Sequence, residues 1–151
     1  MRTVALMTLL LAAVLAAPAA VAQDDKPFAE ARIVLQLGDG DAATQARALN
    51  VANNLIKHYG GPDFVDIEIV AYGPGLSLLF PGNENAERIS SLVANDVRFV
   101  GCLNTVASIE RRTGKRPELI PVTIPVQTGV ARLVERAQQG VVVIRPLRPA
   151  Y

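Results

Sequence analysis

A chain of 151 residues in which 15 basic side chains nearly cancel 14 acidic ones has no electrostatic footprint for nucleic acid or for an anionic membrane surface. A single cysteine excludes an intramolecular disulfide, so the fold must stand on an apolar core, and the 50% hydrophobic composition supplies one. One cysteine and one histidine also exclude the usual zinc frameworks.

Met1-Arg2-Thr3 is a short positive start. Val4 to Leu15 is an almost unbroken apolar run, Pro18 breaks it, and Ala20-Val21-Ala22 is the small-x-small pattern of a signal-peptidase site. The alternative is an uncleaved membrane anchor, but Pro18, the Ala-x-Ala ending and the polar Gln23-Asp24-Asp25-Lys26 favour cleavage after Ala22. The expectation is therefore a signal peptide over 1–22, a periplasmic mature protein and a flexible leader over 23–31. One domain over 32–146 and a short tail over 147–151 follow. Cleavage removes only Arg2 among charged residues, leaving basic and acidic groups in balance.

Arg32–Leu37 (RIVLQL) has the β-branched character of a strand and ends at the turn Gly38-Asp39-Gly40. Asp41 is a good N-cap for a helix whose Ala42, Ala46, Leu49, Ala52, Ile56 and Tyr59 form one apolar stripe, stopped by Gly60-Gly61-Pro62. Phe64–Ala71 (FVDIEIVA) reads as the second strand, closed by Tyr72-Gly73-Pro74-Gly75. A short helix over Leu76–Phe80 and a longer one over Glu84–Ala94, with Ala86, Ile89, Leu92 and Val93 inward, come next. Val97–Gly101 is the third strand and Asn104–Arg112 a helix. Val122–Ile124 is a short strand between Pro121 and Pro125. Thr128–Gln139 is the clearest helix, with Val130, Leu133, Val134 and Ala137 on its inward face, and Val141–Arg145 is the last strand.

Five strands with helical connections imply parallel pairing and right-handed crossovers. The expected fold is α/β, three layers α/β/α around a five-stranded, mainly parallel sheet.

In such a sheet, chemistry gathers outside the carboxyl ends of the strands. Cys102 follows the third strand and opens a helix, where free N–H groups and the helix dipole favour a thiolate. Gly101 leaves room beside the sulfur, Asn104 and Thr105 offer hydrogen bonds, and Tyr72 and Gly73 border the same rim. The competing reading is a buried free cysteine acting as a small hydrophobe. His58, in the last turn of the first helix, belongs at the opposite edge of the sheet, which argues against a Cys–His pair and against zinc. Arg111, Arg112, Lys115 and Arg116, flanked by Glu110 and Glu118, read as a solvated helix end. Gly38-Asp39-Gly40-Asp41 lacks the full glycine pattern of a dinucleotide turn, because residue 43 is alanine. Neither a metal nor a cofactor is indicated.

The segments "IEIVAYGPGLSLL", "VRFVGCLNT" and "VTIPVQTGVARLVERAQQGVVVIRP" together resemble the DsrE/DsrF-like family, over about Arg32 to Pro146. The resemblance implies a parallel five-stranded α/β/α domain assembled as a trimer or hexamer. It also implies a cysteine, here Cys102, that carries sulfur as a persulfide, with a sulfane-sulfur donor or acceptor (small molecule or protein thiol) as partner. Export departs from the family's cytoplasmic relays. The functional expectation is a periplasmic sulfur carrier or sulfurtransferase-like protein. The alternatives are a non-enzymatic oligomeric binding module with a structural Cys102, and a redox sensor that works through intermolecular disulfides.

Overall fold

The structure, a computed structural model, describes residues 26–147. The expected signal peptide, the start of the leader and the end of the tail lie outside these residues. The described end of the leader is tied down: Lys26 Nζ donates to the carbonyls of Pro62 (2.9 Å) and Val65 (3.3 Å).

The elements alternate. Strand β1 (Ala31–Leu37) leads to helix α1 (Ala42–His58), and strand β2 (Val65–Ala71) follows a single 3₁₀ turn. A second 3₁₀ segment (Gly73–Leu79) and helix α2 (Ala86–Val93) precede strand β3 (Arg98–Cys102). Helix α3 (Leu103–Thr113), strand β4 (Thr123–Val126), helix α4 (Gly129–Gln138) and strand β5 (Val142–Ile144) complete the domain. The five strands pair in parallel throughout, in the order β4-β3-β2-β1-β5. The expected three-layer α/β/α architecture is what the chain adopts. Among the described residues no helix is long and apolar enough to cross a membrane.

The strand order dictates the layers. From β1 to β4 each strand steps to the same side of its predecessor, so right-handed crossovers put α1, α2 and α3 on one face. The step from β4 back to β5 crosses the whole sheet in the other direction and places α4 on the opposite face. Strand side chains alternate accordingly. Ile33, Leu35, Leu37, Ile67, Ile69 and Phe99 form the larger core with Leu49, Ala52, Ile56, Ile89 and Val106. Val34, Val70 and Val100 form a smaller core with Leu133 and Val141.

Several boundaries differ from expectation for local reasons. The short helix expected over 76–80 is the 3₁₀ segment Gly73–Leu79. Its Leu76, Leu78 and Leu79 are all buried, a spacing that no single α-helical face provides. Helix α2 starts later than Glu84 because Asn83 Oδ1 accepts the Asn85 N–H (2.9 Å), a turn that competes with helix. Strand β4 runs through Pro125, which is tolerated because β4 is an edge strand. Asp41 does cap α1, accepting the Thr44 N–H at 3.0 Å. The first turns of α1 bury Thr44, Gln45 and Ala48 rather than Ala42 and Ala46. Gln45 Nε2 donates to Ser77 Oγ (2.8 Å) and Gln45 Oε1 accepts from Asn83 (3.2 Å), so this helix face holds the 3₁₀ segment.

Helix α4 is the main correction. Of the expected inward stripe only Leu133 is buried. Val130 and Val134 are 51% and 52% exposed, and Ala137 is also exposed. The face turned inward carries Gly129, Leu133 and Arg136, with Arg132 half-buried. The cause lies beneath it: Asp66 and Glu68 of β2, two residues apart on one face of the strand, point under the helix and are buried. Arg132 Nε and Nη2 grip Glu68 Oε1 and Oε2 at 2.8 and 3.0 Å. Asp66 Oδ2 accepts from Arg136 (3.2 Å), and Asp66 Oδ1 pairs with Arg98 of β3 (2.7 Å). Unpaired carboxylates there would be far costlier than two exposed valines, so the ion pairs decide how the helix is rotated.

Candidate functional site around Cys102

Strand β3 continues one residue further than expected, so Cys102 is its last residue, aligned with Val126 of β4, and also the N-cap of α3. Its side chain lies on the α4 face of the sheet. Gly101, one residue earlier, faces the other way. A Cβ at Gly101 would meet Thr123 Cγ2 at 2.7 Å, with Leu119 and Leu76 close by. Gly101 therefore leaves space for packing in the larger core and none beside the sulfur, as the alternation of strand side chains requires.

The glycine that does make room at the sulfur is Gly129, the first residue of α4. A Cβ there would lie 3.2 Å from Cys102 Cβ and 3.1 Å from Tyr72 Cβ. This close approach brings the α4 N-terminus directly over the thiol. Burial pushes the Cys102 thiol pKa up. Hydrogen bonds to the sulfur from the Gly129 N–H, from the Thr105 hydroxyl and from the N–H groups of Thr105 and Asn104 outweigh it, so the net shift is downward. Two helix N-termini, those of α3 and α4, thus converge on one sulfur atom, and both favour its anion. In the neutral form Sγ has a weak acceptor in the Gln127 carbonyl, at 3.9 Å.

The sulfur is covered. Cys102 is only 5% exposed, so the open thiol that its place at the rim suggests is closed over by residues 127–129. Asn104 fastens this cover. Its N–H donates to Gln127 O (3.1 Å), its Oδ1 accepts from Gln127 Nε2 (2.7 Å), and its Nδ2 donates to Thr128 Oγ1 (3.0 Å). Thr105 Oγ1 accepts the N–H of Gly73 at 2.9 Å, joining α3 to the 3₁₀ segment; Gly73 itself adopts φ +52°. Tyr72 stands beside Gly129 with its ring against Gly38 and its hydroxyl bonded to Gln36 Nε2.

Cys102, Asn104, Thr105, Tyr72 and Gly73 are therefore brought together, and Gly101 is not. Gln127, Thr128 and Gly129 do not stand out in the sequence. Their signal is the stretch Pro125–Gly129, a strand end running into a helix start at the same rim. His58 ends α1, away from this rim, and packs edge-on against the Tyr59 ring. At the β1/β5 switch point the crevice carries the ion pair Arg145–Asp39 (3.3 Å). Among the described residues no group of three or more His, Cys, Asp or Glu side chains is placed to hold a metal ion.

The lowered thiol pKa has a consequence for stability. A group that ionises more readily folded than unfolded adds stability above its unfolded pKa, and this is lost as pH falls through the folded value. The stability difference between wild type and Cys102→Ser is expected to widen as pH rises from the acid side of the folded pKa to beyond the ordinary thiol range. Urea titrations at a series of pH values measure this, and a difference that stays flat with pH would rule it out.

No family model matches the sequence, and no curated protein matches it. Among solved structures, the chain is similar to a protein of unknown function, MTH1491, from Methanobacterium thermoautotrophicum. The TM-score is 0.63 at 28% identity, covering 78% of this chain and 100% of that one.

Proposed function

We propose that the protein is a sulfur carrier of the DsrE/DsrF-like kind, in which Cys102 holds sulfane sulfur as a persulfide. The observation that carries this reading is the convergence of the α3 and α4 N-termini on Sγ, which favours the thiolate and would equally favour the anionic terminal sulfur of Cys–S–S⁻. In the loading step the thiolate attacks the outer sulfur of a donor R–S–SH. The S–S bond of the donor breaks, Cys102–S–SH forms, and R–S⁻ leaves with the electron pair. Unloading is the same displacement by an acceptor thiolate on the outer sulfur, which returns Cys102 to its thiolate. Neither step needs an external oxidant.

With residues 1–22 as an export signal, the carrier works in the periplasm. A homo-oligomer fits the exposed Val130 and Val134 of α4, together with Ile124 and Val143 at the two sheet edges. The second reading, a binding module in which Cys102 is structural, is favoured by the 5% exposure of the residue. Intact-mass measurement after incubation with inorganic polysulfide separates the two. The wild type is expected to gain sulfur atoms that dithiothreitol removes and that Cys102→Ser never gains; an unchanged wild-type mass would favour the structural reading.

A further inference from the structure

Next to the thiol site, and sharing Gly73, Asn104 and Thr105 with it, lies a surface cleft of about 470 Å³ that runs away from the sulfur along α3. One wall is a helical stripe of α3: Thr105, Ser108, Ile109 and Arg112, at successive steps of three, one and three residues. Such a stripe normally packs on a core and is apolar. Here it is two hydroxyls, one aliphatic chain that also packs on the larger core, and an exposed cation, bordering the cleft. The opposite wall is the 3₁₀ segment with Gly73, Pro74 and Ser77, ending at Phe80.

The two ends of the cleft differ chemically. At the inner end stands Thr105, three residues after Cys102, whose hydroxyl accepts the Gly73 N–H and favours the Cys102 thiolate. The middle is apolar, lined by Pro74, Phe80 and Ile109. At the outer end stands Arg112, which makes no ion pair among the described residues, whereas Arg116, in the loop after α3, is paired with Glu110 at 3.0 Å. Arg112 is two helical turns from Thr105, a rise of about 10 Å.

We infer that this cleft binds a low-molecular-weight thiol or persulfide of about tripeptide size. Its sulfur would lie at Thr105 and its terminal carboxylate on Arg112. The cleft would then be where the small-molecule donor or acceptor of Cys102 docks, and the assignment of the ligand's inner end rests on the sulfur-carrier reading. The length matches the span between Thr105 and Arg112, the apolar middle accepts a methylene-rich body, and the planar guanidinium suits a carboxylate held by two hydrogen bonds.

The test uses S-methylglutathione, which cannot form a disulfide or a persulfide, titrated into the full-length Cys102→Ser protein and followed by amide NMR. Shifts are expected at Gly73, Thr105, Ser108 and Arg112. Arg112→Ala, a substitution at an exposed position, is expected to weaken binding roughly tenfold through loss of a charged hydrogen bond. No shifts at millimolar probe, shifts elsewhere, or equal affinity in Arg112→Ala would overturn the assignment. Because the probe and the variant remove all sulfur chemistry, this result is independent of the polysulfide experiment. Binding at these residues keeps the cleft site even where wild type takes up no sulfur. An adduct on wild type without probe binding removes the cleft and leaves the carrier.

Discussion

Replacing Glu68 by glutamine is expected to destabilise the fold by about 3–5 kcal/mol, well beyond what a surface substitution produces. Glu68 is fully buried and is the acceptor of a two-pronged grip from Arg132. Arg98 and Arg136 also approach it, at 3.6 and 3.7 Å. Removing its charge leaves three guanidinium groups with Asp66 as their one buried counter-charge, Glu135 reaching Arg132 only from the exposed side at 4.0 Å. The cost arises from the uncompensated cations far more than from the hydrogen bonds lost. A double-mutant cycle exposes this: Glu68→Met with Arg132→Met is expected to cost less than the two single effects added together. Urea unfolding midpoints measure all four proteins, and additive effects would show that the pair is not coupled.

The second large effect concerns access to the sulfur. Asn104→Ala removes the two side-chain hydrogen bonds that clasp Gln127 and Thr128 over Cys102. At about 1 kcal/mol for each bond, the equilibrium for lifting the cover shifts by roughly 10- to 30-fold. Alkylation of Cys102 by iodoacetamide, at reagent concentrations low enough that the cover recloses faster than the thiol reacts, is expected to accelerate by about that factor. Asn104 is itself exposed, so the fold should tolerate the change. An alkylation rate equal to that of wild type would mean that the reagent reaches the sulfur by a route not controlled by this cover.

Most of the architecture is legible in the sequence because it is written in local patterns. The runs RIVLQL and RFVG, the Asp41 cap and the glycine and proline stops each act within a few residues, and five strands joined by helices leave little choice but a parallel sheet. The place of Cys102 at the carboxyl rim follows from the same logic. The rotation of α4 does not, since Val130, Val134 and Ala137 do form an apolar stripe and periodicity alone turns that stripe inward. What overrides it is a pairing between residues more than sixty positions apart, Glu68 with Arg132 and Asp66 with Arg136. A trace of this is present in the chain: two carboxylates at alternate positions of a strand that must be covered on both faces, and two arginines four residues apart on a helix. Gly101 and Gly129 show the same limit. Each is a glycine beside the site in sequence or in space, but only strand alternation and tertiary approach tell which of them faces the sulfur.

What distinguishes Cys102 from an ordinary buried thiol is that the N-termini of α3 and α4 both point at it and favour its ionisation. As Cys102 is the only cysteine, the ultraviolet absorbance of the thiolate, taken as wild type minus Cys102→Ser through a pH titration, reads this one group. The ionisation midpoint is expected to fall below that of an ordinary cysteine thiol; a midpoint at or above the ordinary value would show that the two helix ends do not stabilise the anion.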